Sequence, residues 1–229
     1  VEAELPTIIF HPDDGGPHPV VLYLMDAPGI RGALRDMARR LAAAGYYVML
    51  PNLYYRAGQF EELGMSDEDA HRRMELMATV TPTNIVSDAK ALLAAAADDP
   101  AAGDGPVGAV GFCMSGGLAL SVARALPERV AAVASIHGAW LVRDTEDSPH
   151  LGLETVRAEV HFAWVVPDGT APPETIAVME QALNDAGVTY TIDRETDAQH
   201  GFAPAGPRHD PDASERHWAR VFDLLDRKL

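Results

Sequence analysis

The strongest constraint in this chain is an alternation of short apolar runs with longer segments of helical period. The runs 20–25, 46–50, 107–112, 130–136, 160–166 and 188–192 are apolar nearly throughout and rich in β-branched residues. A strand with one wet face alternates apolar and polar residues, whereas a strand covered on both faces reads like these. Between them, Leu34, Met37, Ala38, Leu41 and Ala42 recur at helical spacing and stop at Gly45. Ile85, Ala89, Leu92, Leu93 and Ala96 do the same after a start at Thr81-Pro82. Further helices are expected over 116–126, 173–186 and 213–227. The pattern predicts an α/β fold with a mostly parallel central sheet and helices on both faces.

No repeat or linker divides the 229 residues, so one domain over 1–229 is expected. Two segments, 54–64 and 142–153, fit neither strand nor crossover helix. They are expected to pass over the carboxyl edge of the sheet, where open α/β sheets bind ligands. Lys and Arg total 18 against 34 Asp and Glu, a net charge of −16, which argues against nucleic acid and anionic membrane surfaces as partners. Surface solubility is sufficient reason for that charge. The single cysteine cannot form an internal disulfide, residues 1–6 carry two acids and no basic cluster, and no apolar run approaches the ~20 residues of a membrane helix. The expectation is a cytoplasmic protein, a monomer or weak homo-oligomer, acting on a small molecule.

Chemistry enters at Gly111-Phe112-Cys113-Met114-Ser115-Gly116-Gly117, where a predicted strand gives way to a predicted helix. A nucleophile exposed on such a sharp turn needs small residues two positions away on each side, because larger ones collide with the adjoining strand and helix. Gly111 and Ser115 satisfy this around Cys113. The turn also puts Cys113 at the amino end of a helix, where the dipole and free N–H groups favour negative charge. A lone cysteine is more commonly a small buried apolar residue, and Ser115, two residues later, competes as nucleophile.

A thiol nucleophile needs a base, and the base an orienting acid. Of nine histidines, His200 stands in Gln199-His200-Gly201-Phe202, a loop between the last predicted strand and the last predicted helix. Asp168, in Val165-Val166-Pro167-Asp168-Gly169, follows the preceding strand; alone it would read as a turn aspartate. Together they give the chain order nucleophile, acid, histidine of the α/β-hydrolase fold.

These motifs, together with 23–31 and 45–54, resemble the dienelactone hydrolase family over nearly the whole chain. The resemblance implies an α/β-hydrolase fold, hydrolysis of an ester or lactone without a cofactor, Cys113 as nucleophile, His200 as base and Asp168 as its orienter. It further implies an oxyanion hole from the backbone N–H groups of Met114 and Ala27. The sequence departs from the family twice. Asp26 stands where the family has a glutamate that contacts the resting thiol. Phe202-Ala203-Pro204-Ala205 stands where the family has a carboxylate-binding arginine, and the next arginine is Arg208. Arg72 and Arg73, in a predicted helix, could supply a cation, but are expected rather as solvated charges on the helix face.

His137, after the run 130–136, is a candidate pocket residue or a loop histidine satisfied by backbone. Tyr54, Tyr55, Trp140 and Trp164 belong to the pocket or to the core. No metal site is expected: Asp210, near His209 and His217, reads as the cap of a helix opened by Pro211. The same machinery would cleave thioesters, and the same fold could serve as a binding module; an intact Cys, His and Asp set argues against the latter.

Overall fold

The computed structural model describes residues 4–13, 15–58, 63, 64 and 66–229. Among these residues seven strands form one sheet: β1 (Thr7–Phe10), β2 (Val20–Leu24), β3 (Tyr47–Pro51), β4 (Val107–Phe112), β5 (Val130–Ile136), β6 (Glu159–Val165) and β7 (Tyr190–Glu195). Their order is β1-β3-β2-β4-β5-β6-β7. All pairings are parallel except that of β1 with β3. Among the described residues six α-helices accompany the sheet: α1 (Gly32–Ala43), α2 (Asp67–Ala78), α3 (Pro82–Ala97), α4 (Gly116–Ala125), α5 (Pro173–Asp185) and α6 (Pro211–Lys228).

The apolar runs become strands because both of their faces are covered. Every residue of β2, β3 and β4 is buried, and so are nearly all of β5 and β6. Helices α3 and α4 lie side by side, while α1 is tied to α6 by a two-pronged Arg40–Glu215 pair at 2.6 and 2.7 Å and by Arg40 over the Trp218 ring. The faces these helices bury are the apolar stripes read above: Leu34, Met37, Ala38, Leu41 and Ala42 in α1, and Ile85, Ala89, Leu92, Leu93 and Ala96 in α3. Trp164 resolves to the core, stacked on Phe162 at 4.7 Å.

Strands β3 and β7 begin later than the runs suggest. Gly45 (φ 105°) and Gly187 (φ 69°) are left-handed, and the next residues, Tyr46 and Val188, bond back to Leu41 O (3.4 Å) and Leu183 O (3.0 Å). Their apolar side chains close the ends of α1 and α5, so the run 46–50 starts its strand at Tyr47 and the run 188–192 starts its strand at Tyr190.

Parts of the two excursions are held by buried polar anchors. Arg56 (2.6 and 2.8 Å) and the Tyr55 hydroxyl (2.9 Å) converge on Asp88, a buried carboxylate of α3. Residues 59–62 of the segment 54–64 lie outside the described residues, as do residues 1–3 of the stretch 1–6. In the segment 142–153, the Ser148 hydroxyl accepts from Arg143 N (2.8 Å) and meets His150 Nδ1 (2.6 Å). No helix among the described residues is long and apolar enough to cross a membrane.

Strand β2 has β3 on one side and β4 on the other, so chain order reverses across it. The crevice at such a reversal, at the carboxyl ends of the strands, is where this architecture places its ligand. Asp26 and Ala27 leave β2 there, and Cys113 leaves β4.

Candidate active site

The turn after β4 is built by backbone crowding. A Cβ on Gly111 would stand 2.1 Å from Ser115 O, and one on Gly116 would stand 2.7 Å from Gly138 Cα and 2.4 Å from Ser135 Oγ. Within this wedge Cys113 adopts φ 53°, a left-handed conformation that a non-glycine residue holds only when its surroundings enforce it. The enforcement includes Ala139 N, which donates to Cys113 O at 2.9 Å. Ser115 is fully buried and its hydroxyl is spent on the Met25 carbonyl behind the turn. Cys113 is partly exposed. The two candidate nucleophiles of the sequence are thus in opposite situations, one open and one enclosed.

The loops after β6 and β7 converge on Cys113. His200 Nε2 lies 3.1 Å from Sγ, and His200 Nδ1 lies 2.6 Å from Asp168 Oδ2. Asp168 Oδ1 accepts from Thr170 N and from the Thr170 hydroxyl, both at 2.8 Å. The aspartate is therefore a turn residue and a histidine partner at once, one oxygen for each. Thr170 was not singled out from the sequence; the signal was present in Asp168-Gly169-Thr170, since an aspartate commonly bonds the backbone two residues on.

The electrostatics follow from these contacts. Burial alone would lower His200, but the hydrogen bonds to Asp168 and Cys113 and the charges of both outweigh it and raise the imidazole to about 10. Burial pushes the Asp168 carboxyl up; the hydrogen bond from His200, joined by those from Thr170, prevails and brings it to about 2. His137 (φ 39°) is buried with its ring edge-on to His200 at 5.2 Å and to Phe202 at 5.3 Å. Burial, with the neighbouring His200 charge, lowers His137, which keeps this second imidazole neutral.

A cavity of about 340 Å³ opens on this site, lined among others by Ala27, Cys113, His137, His200, Arg73 and Arg208. Asp26 lines it too, but its carboxylate is held by Arg31 in a two-pronged pair at 2.6 and 2.8 Å. The Ala27 carbonyl accepts from the Tyr54 hydroxyl at 2.7 Å, and the same hydroxyl lies 3.4 Å from Met114 Sδ, so one tyrosine braces both segments expected to supply oxyanion donors.

The expectation of solvated charges fits Arg72, which pairs with Glu75 at 3.2 Å on the surface, but not Arg73. Arg73 donates to the Gly64 carbonyl and lines the cavity, because α2 is laid across its mouth. Trp140 and Tyr54 belong to the surroundings of the turn, whereas Tyr55 is bound to Asp88. Asp210 caps α6 by accepting from Ala213 N at 2.9 Å, and among the described residues no cluster of His, Cys, Asp and Glu has the arrangement of a metal site.

Residues 5–229 match the model of the dienelactone hydrolase family. The chain belongs to the dienelactone hydrolase family. It is 28% identical over 218 residues to a Synechocystis protein described as "Putative carboxymethylenebutenolidase", covering 93% of this chain and 88% of that one. A Rhodococcus opacus carboxymethylenebutenolidase is 27% identical over 223 residues, 94% of this chain and 84% of the other. Among solved structures, a Klebsiella pneumoniae protein titled "Putative Dienelactone Hydrolase" superimposes with a TM-score of 0.87 at 24% identity, covering 97% of this chain and 93% of its own. At that identity the likeness concerns the fold, which is the fold the family model leads one to expect.

Proposed function

We propose that this chain hydrolyses carboxylic esters or lactones through a covalent intermediate on Cys113. One observation carries the reading: Sγ stands on an enforced turn, 3.1 Å from an imidazole that is in turn 2.6 Å from a carboxylate. This is the arrangement of nucleophile, base and orienting acid that acyl transfer requires.

In the proposed first step the Cys113 thiolate attacks the carbonyl carbon, the C–S bond forms, and the carbonyl electron pair moves to oxygen. The Met114 and Ala27 N–H groups receive that oxyanion. On collapse the C–O bond breaks and the leaving oxygen takes its proton from the His200 imidazolium, giving a thioester and an alcohol; a lactone keeps that hydroxyl on the same molecule. Acylation removes the thiolate charge and the hydrogen bond that help raise His200. The neutral imidazole then takes a proton from water as the water oxygen attacks the thioester. The C–S bond breaks, the carboxylic acid departs, and thiolate and imidazolium are restored. Protein groups and water suffice for this cycle.

The cavity also suggests what the substrate carries. Arg73 and Arg208 line it, and among the described residues neither is paired with a carboxylate. A substrate with a carboxylate remote from the scissile bond would meet them. Arg208 approaches from eight residues beyond His200, where its Nη1 lies 3.4 Å from the His200 carbonyl, so a cation reaches the pocket by a different position from the family's.

The test is hydrolysis of short-chain p-nitrophenyl esters by wild type and Cys113→Ala. The variant is expected to lose about 10⁴-fold or more in kcat/KM, and iodoacetamide to abolish wild-type activity as it alkylates Cys113. Undiminished hydrolysis by Cys113→Ala, or none by wild type across an ester and lactone panel, would contradict the reading.

A further inference from the structure

A second cavity, of about 320 Å³, lies on the other side of the Cys113–Met114 turn. Its lining residues differ from those of the first. Met74 and Met77 of α2, Val80, Met114, Leu118 and Trp140 line it, with Arg143 and Asp147 also in its wall. Met74 and Trp140 are two of only five large hydrophobic side chains exposed among the described residues. Apolar surface open to water around one concavity signals a ligand that covers it.

The wall is fixed to the site rather than merely near it. Trp140 is held at φ 52°, and its N–H reaches the Thr170 carbonyl at 3.3 Å; Thr170 is the residue that bonds Asp168. The preceding residue, Ala139, bonds Cys113 O. Met114, whose N–H is one of the two proposed oxyanion donors, lines this cavity.

The chemistry of the proposed reaction says which part of a substrate belongs here. The leaving oxygen must meet His200 Nε2 to take its proton, and His200 lines the first cavity with the arginines. The substituent kept on the carbonyl carbon leaves that carbon on another side from the leaving group, and Met114, the residue next to Cys113, borders the second cavity. We infer that the second cavity is an acyl-chain subsite that selects esters of apolar carboxylic acids, with flexible methionines shaping it to straight or aryl chains. This inference rests on the ester-hydrolysis reading above.

The test is an acyl series of p-nitrophenyl acetate, butyrate, hexanoate and octanoate. Wild-type kcat/KM is expected to rise about tenfold or more from acetate to hexanoate. Ala78→Phe, a change at an exposed helix end on the cavity wall, and Trp140→Ala, which removes a wall, should each cut the hexanoate-to-acetate ratio about tenfold. A flat or falling wild-type series, or ratios within about twofold of wild type in both variants, overturns the assignment. Binding gives an independent readout: sodium hexanoate should quench indole fluorescence saturably in wild type, less in Ala78→Phe, and not in Trp140→Phe, with acetate inert. If no ester is hydrolysed but this quenching holds, the cavity binds apolar carboxylates and the ester reading falls, taking the acyl-chain role of the cavity with it. If hexanoate causes no saturable quenching, the subsite falls.

Discussion

The floor and the roof of this site are built on opposite principles. The floor, from Gly111 to Gly117, is buried almost throughout and fixed by contacts that leave no room for one added carbon. The roof, α2, starts with a reciprocal Ser66–Asp69 capping box, yet buries only Leu76. It lays Arg73 over one cavity and Met74 and Met77 over the other. The floor can hold an atom to a fraction of an ångström, which is what bond making demands. The roof can change its side chains at little cost to the fold, which suits choice of substrate.

The contrast can be broken first at the floor. Gly111→Ala would drive a methyl group into the Ser115 carbonyl, so the turn must open. Destabilisation of about 3 kcal/mol or more is expected in urea unfolding, with ester hydrolysis lost. A variant with near wild-type stability and activity would mean that the wedge is softer than its geometry implies.

An intermediate effect is expected from the two loops, which meet at the site through His200 Nδ1 with Asp168 at 2.6 Å and, more loosely, with the Thr170 hydroxyl at 3.3 Å. Asp168→Asn should lower kcat/KM by about 10²- to 10⁴-fold and shift its pH dependence in a definite direction. His200 is raised to about 10, so the imidazolium proposed for the first step persists through neutral pH and is lost as pH climbs through that value. A neutral amide in place of the carboxylate removes the Asp168 charge and the charge-assisted character of its hydrogen bond, both of which raise the imidazole. The alkaline limb of the acylation rate should therefore lie near pH 10 in wild type and move down toward neutrality in the variant. An unmoved limb would separate His200 from the rate.

The smallest effect belongs to the roof. Arg73→Ala should raise KM for an ester bearing a remote carboxylate by about tenfold relative to a neutral ester of the same length, as loss of one charge-assisted contact implies. Equal effects on both esters would remove the arginine from substrate selection.

The same division decided what the sequence could reveal. The floor was legible because its demands are local: small residues at 111 and 115 around Cys113 follow from sterics within one turn. The central strands were legible because burial on both faces leaves unbroken apolar runs. Strand β1 was not, being four residues at an antiparallel edge, half exposed and without a crossover helix to announce it. The bounds of α2 were not, since a helix with one buried residue shows no apolar stripe. For the same reason Arg73 read as a solvated charge ahead of a cation for substrate. The end of β3 that faces Gly45 and the start of β7 after Gly187 were misplaced because Tyr46 and Val188 are apolar for a helix-capping purpose that an apolar run does not distinguish.

The central claim is that the acyl group passes through Cys113, and intact-protein mass spectrometry tests it most directly. Wild type quenched in acid within milliseconds of mixing with p-nitrophenyl hexanoate should carry one hexanoyl group, mapped to the peptide containing Cys113 and absent from Cys113→Ala. A hexanoyl group on Ser115, or steady turnover in Cys113→Ala without any adduct, would contradict it.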